Sequence, residues 1–171
     1  MEHQAFELHP GIPAEGELIP WDPARLAQSH GRMVEVAASV GLPLGERKHW
    51  YNSIAAHEAS EWAREQGAEE PFRKAVFHAY FVDDRNIGSP EVLAEIAEGL
   101  ELDAADLRAA LAEGRYHGRI QEQFEAARQV GVTGVPTYVA GGYAVVGAQP
   151  YAMFERLMEV LEQPPRAEPS S

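Results

Sequence analysis

The chain contains no cysteine, so within it there is no disulfide, no thiolate zinc site and no cysteine nucleophile. Cations are scarce as well: 14 Lys and Arg face 27 Asp and Glu, for a formal charge of −13. Binding phosphates calls for a basic face. Here the few cations are scattered singly among carboxylates, so no nucleic-acid partner is expected and the acidic excess reads as solubility. No apolar run approaches the roughly 20 residues that span a bilayer, and no membrane association is expected. Met1-Glu2-His3-Gln4 has neither the basic start nor the apolar stretch of a secretory signal, which makes a cytoplasmic location the expectation. What the chain does have is 45% hydrophobic residues over 171 positions, enough for one domain with a core or one domain with an inserted subdomain.

The order of elements is read from periodicity and stop signals. Ala5-Phe6-Glu7-Leu8 alternates apolar and polar before His9-Pro10-Gly11, the pattern of a short strand entering a loop. Asp22-Pro23 starts a helix, cap then preorganised first residue, that runs to about Val40. A second helix is expected from Asn52 to Gln66, and a third opening at Pro71 with Phe72, Val76 and Tyr80 in one stripe. Ser89-Pro90-Glu91 caps a fourth, Asp103 a short fifth, and a sixth aligns Tyr116, Ile120, Phe124 and Ala127 up to Gly131. The texture then turns to β. Thr137-Tyr138-Val139 and Tyr143-Ala144-Val145-Val146 flank Gly141-Gly142, a hairpin signal because adjacent glycines supply the positive φ of a tight turn. Pro150 opens a last helix, and the Pro-, Glu- and Ser-rich tail 163–171 reads as disordered. Strand, six helices, hairpin and helix make a mixed α/β protein with a helical insertion.

Gly131-Val-Thr-Gly-Val-Pro-Thr-Tyr-Val139 followed by Gly142-Tyr-Ala-Val-Val-Gly-Ala-Gln-Pro150 resembles the C-terminal half of DsbA-family thioredoxin folds. The FrnE-like branch, related to 2-hydroxychromene-2-carboxylate isomerases and kappa-class glutathione transferases, is the most similar. Phe6-Glu7-Leu8-His9-Pro10 looks like that branch's second core strand. Asn52 with Ala56-His57, Ala79-Tyr80-Phe81 and Asn86-Ile87-Gly88 resemble its helical insertion. The resemblance runs from about Phe6 to Leu161. It implies a thioredoxin-like domain over residues 1–162, with the insertion at about 22–130. It also implies a cis bond at Val135-Pro136 that leaves the Val135 backbone free for an extended substrate. Read without the resemblance, Pro136 merely begins a strand, where a missing N–H is harmless.

In the family a first strand and helix carry a Cys-x-x-Cys where the helix dipole lowers a thiol pKa. This sequence has no counterpart to them, a piece of roughly 30 residues. The expectation is therefore an N-terminally truncated thioredoxin-like fold with unpaired strand edges. Its function by resemblance is thiol–disulfide oxidoreduction on a protein or peptide substrate, with no catalytic residue in the chain itself. A non-catalytic peptide- or partner-binding module and a glutathione-dependent isomerase relative stand as alternatives, and a homodimer is a further possibility.

The substrate-binding candidates are Gly134, Val135, Pro136, Asn52, His57 and Gln149. His57 faces either the cleft or the helix packing. Gln149, at the start of the last helix, stands where glutathione-using relatives typically place an acidic residue. His57-Glu58-Ala59-Ser60-Glu61 lacks the second histidine of a metalloprotease helix, so no metal is expected, and no cofactor. Asp83-Asp84 reads as a loop cap, and His78 and His117 as surface residues without partners.

Overall fold

In the computed structural model, which describes residues 3–162, the chain forms two compact units, Met1–Phe124 and Glu125–Ser171. The first holds β1 (Glu17–Leu18), α1 (Pro23–Ser39), β2 (His49–Trp50), α2 (Ile54–Glu65), α3 (Glu69–Phe81), α4 (Pro90–Gly99) and α5 (Ala104–Ala112). Helix α6 (His117–Gln129) begins in it and runs into the second unit. That unit continues with β3 (Thr137–Ala140), β4 (Tyr143–Val146) and α7 (Tyr151–Val160). Among the described residues strands pair as two antiparallel ribbons, β1 with β2 and β3 with β4.

The core of the first unit is built on α2. Ala56, Ala59 and Ala63 line its buried face and let α3, α4 and α5 approach closely around Trp62. Trp62, Phe72, Leu93, Leu107 and Ile120 are fully enclosed. Burying the Trp62 indole leaves one polar group to satisfy, and Nε1 donates to Asp106 Oδ2 at 2.6 Å. The caps read in the sequence form at two helices. Asp22 accepts from the Ala24 and Arg25 amides, both at 3.0 Å, and Asp103 from those of Ala105 and Asp106. Gly141 and Gly142 take φ of 56° and 84° and turn the β3–β4 hairpin as the two glycines suggested.

Several expectations are corrected. Residues 5–8 are not a strand. The Ala5 amide bonds the Gln123 side chain at 2.7 Å instead of a ladder, and Ala5 is buried against Ile120 and Phe124. The third helix opens at Glu69 rather than Pro71, because proline is tolerated throughout a first turn whose N–H groups have no intrahelical partner. Ser89 occupies the cap position of α4, but its hydroxyl donates to Glu91 Oε2 at 2.9 Å and caps no amide. His78 and His117 do have partners, Asp83 Oδ2 at 3.2 Å and the buried Glu58 Oε1 at 2.9 Å. The tail from Gln163 lies outside the described residues.

Candidate functional site

Gly134, Val135 and Pro136 form the loop entering β3. Two hydrogen bonds pin it: the Thr137 hydroxyl donates to the Gly134 carbonyl at 2.6 Å, and the Gly147 amide to the Pro136 carbonyl at 2.7 Å. The Val135–Pro136 peptide bond is cis. Val135 is 51% exposed, and among the described residues neither its amide nor its carbonyl has a hydrogen-bond partner. A held loop thus presents the free backbone donor and acceptor of one residue, the pair that an added extended segment would use.

Gln149 lies in the same unit, after β4. Its Nε2 donates to the Val146 carbonyl at 2.9 Å, so the amide is turned inward onto the hairpin end. The structure therefore ties Pro136 and Gln149 to neighbouring residues of one segment, Gly147 and Val146. Glycine serves at 147 because the backbone there has φ of 84°.

Asn52 and His57 belong to the first unit and do not bond each other. Asn52 holds local structure: Nδ2 donates to the Ile12 carbonyl and Oδ1 accepts from the Ile54 amide, each at 2.9 Å. Asn86 repeats the arrangement, donating to the Ala14 carbonyl at 2.8 Å and accepting from the Gly88 amide at 2.9 Å. The two asparagines clamp the 12–14 loop onto the starts of α2 and α4. His57 packs its ring edge-on to Phe124 with centroids 6.0 Å apart. Desolvation pushes its pKa down to about 4, although a hydrogen bond with the Phe6 backbone works the other way. Of the two readings of this residue, helix packing fits the contacts.

Sequence reasoning missed the groups that do the holding: Thr137, Gly147 and Asn86. The side chain-to-amide spacing of i to i+2 at Asn52 and Asn86 was the available signal, since Asx turns use it. It also missed a buried ionic cluster on α2. Glu61, 3% exposed, receives Arg64 at 3.1 Å, Arg119 at 3.0 Å and the Gln123 amide at 2.8 Å. Glutamates at 58 and 61 on an Ala-rich face mark a buried acidic stripe only once that face is known to be inside.

The model of the DSBA-like thioredoxin domain matches residues 1–159, and the chain belongs to that family. Among individual relatives, it is 28% identical over 161 residues to the uncharacterized protein YwbO of Bacillus subtilis (strain 168), covering 91% of this chain and 79% of that protein. Of solved structures, the probable DsbA oxidoreductase SCO1869 from Streptomyces coelicolor superposes with a TM-score of 0.85 at 27% identity, over 98% of this chain and 78% of that one. A 2-hydroxychromene-2-carboxylate isomerase shares the fold with a TM-score of 0.69 at 23% identity, over 81% of this chain and 68% of the other. The DsbA-like thioredoxin fold is here helix-rich, with seven helices among the described residues.

Proposed function

We propose that this chain serves thiol–disulfide exchange of the DsbA type as the part that holds the substrate, the reacting sulfur lying outside these 171 residues. One observation carries the reading: the unpaired backbone of Val135, in a loop pinned by Thr137 and Gly147. An extended segment lying there gains backbone hydrogen bonds without side-chain specificity, which suits a catalyst that meets many disulfides. The name of the Streptomyces structure and the family membership support the same class of chemistry. With no sulfur nucleophile of its own, the chain alone reduces no disulfide, because exchange begins with thiolate attack.

The test is amide chemical shifts of the labelled chain titrated with an extended, disulfide-bonded peptide. Shifts centred on residues 134–137 and Gly147 are expected, and no shift there overturns the proposal. Equal binding of a cysteine-free peptide points instead to a non-catalytic binding module. Shifts confined to the Gln149 region with glutathione point to a glutathione-dependent relative. The free amide edge favours the first reading. Against the glutathione reading stands the Gln149 side chain, already bonded to Val146.

A further inference from the structure

Outside this loop, several histidines among the described residues face carboxylates, and the shortest of these contacts joins β2 to the loop after α3. His49 Nδ1 lies 2.7 Å from Asp84 Oδ2. The Asp84 carboxylate also faces the Lys48 and His49 amides, each at 3.3 Å, so it sits as an acceptor with nothing to donate. Nδ1 then carries the hydrogen, and in the neutral imidazole the lone pair is on Nε2. Among the described residues Nε2 has no hydrogen-bond partner, and the His49 side chain is 36% exposed.

The pair is held by its surroundings and not by chance contact. Asp84 has φ of +50°, a left-handed backbone uncommon outside glycine, and the Tyr51 hydroxyl donates to its carbonyl at 2.9 Å. The Tyr51 ring stacks on His49, centroids 5.5 Å apart and planes at 22°. Tyr80 meets Tyr51 edge-on, and its hydroxyl accepts from Arg47 at 2.6 Å. Gly45 lets this segment press on the end of α3: its amide bonds the Phe81 carbonyl at 3.0 Å, and a Cβ there would stand 1.9 Å from the Val82 oxygen.

We propose that His49 and Asp84 form a reactive site, an oriented imidazole that accepts acyl groups from small activated esters. The Nε2 lone pair adds to the ester carbonyl carbon, the bond to the leaving oxygen breaks, and the alkoxide or phenolate departs with the electron pair. The acyl-imidazole then carries a positive charge, which the Asp84 carboxylate stabilises through the Nδ1 hydrogen. Water attacks the acyl carbon, releasing the carboxylic acid and a proton and restoring the neutral imidazole. His49 is the group that touches substrate; Asp84 is a positioning residue.

The experiment uses the whole chain and 4-nitrophenyl acetate, following 4-nitrophenolate release and mapping acetyl groups by mass spectrometry. Release faster than from free imidazole at seven times the protein concentration, the number of histidines present, with acetyl trapped on His49, is the expected result. His49→Gln should abolish the excess rate. Asp84→Asn, tolerated in a left-handed backbone, should lower it about 10-fold, and Asp84→Glu should restore part of it. Because His49→Gln also changes a residue of β2, nitrogen shifts of the unaltered chain give an independent reading of the tautomer. A protonated Nε2, or release no faster than the imidazole control, overturns the proposal.

Discussion

The two units obey the same patterning rules and end up in opposite conditions. In the first, the apolar residues of α2 to α5 at helical spacing meet other helices, although α1 buries none of its residues, and five large side chains lose essentially all contact with water. In the second, the alternation of β3 and β4 and the apolar face of α7 are just as regular, yet no described residue from Glu125 onward is buried. Val139 and Val146 are each more than half exposed, and Tyr151 is 76% exposed. Tyr138 and Phe154 touch, with centroids 4.8 Å apart, and Leu161 lies against the hairpin turn. A correct pattern is therefore not the same as a core. The helical unit has enough facing surfaces to enclose its apolar side chains, while a hairpin and one helix do not.

The largest test of that contrast is a pair of truncations. Trp62→Ala should cost about 4 kcal/mol of stability, whereas Phe154→Ala should cost only about 1 kcal/mol, because its ring gives up less burial. Urea denaturation of both variants decides it, and equal costs would erase the distinction.

The next effect belongs to the first unit alone and appears as acid sensitivity. Burial pushes the His57 imidazole down to about 4 in the folded chain, against the ordinary 6.5 of an exposed histidine. Between these values the unfolded chain binds a proton that the folded chain refuses, so stability falls as pH drops from about 6.5 toward about 4, by up to roughly 3 kcal/mol. Denaturation midpoints over that range should show the slope, and His57→Gln should flatten it. A slope unchanged by the substitution would mean that the imidazole is hydrated in the folded state.

Smaller effects follow at the turn and at a helix end. Gly141→Ala forces a side chain onto a backbone with φ of 56° and places Cβ 2.1 Å from Leu161 Cδ2. It should destabilise the hairpin by about 1–2 kcal/mol and leave protection of α2 unchanged by hydrogen exchange. Asp22→Ala, which removes the two capping bonds of α1, should cost about 1 kcal/mol, read as reduced helicity by circular dichroism.

The helices were legible because capping and periodicity are local. Asp22-Pro23, Asp103 and the stripes through Val76 and Ile120 sit where the chemistry of those residues puts them. The hairpin was legible for the same reason, in two adjacent glycines. The opening segment was not, since a strand needs a partner and alternation in Ala5–Leu8 says nothing about whether one exists. β1 and β2, two residues each, carry no pattern long enough to read. The loop at Val135 is legible as a loop ahead of a strand, but the bonds from Thr137 and Gly147 that hold it depend on β3 and β4 folding back. His49 and Asp84 are 35 residues apart in sequence, and nothing in either neighbourhood announces the other. Asn52, chosen as a candidate binding residue, is spent on the 12–14 loop, a role that only the position of the Ile12 carbonyl reveals.

The most direct measurement is residue-resolved hydrogen exchange of the chain, alone and with an extended disulfide-bonded peptide. Amides of α2 to α5 should exchange slowly in both states, while those of residues 134–146 exchange fast in the free chain and slow down when the peptide is present. Uniformly slow exchange in the free chain, or a 134–146 segment indifferent to the peptide, would contradict both the contrast between the units and the role given to the Val135 loop.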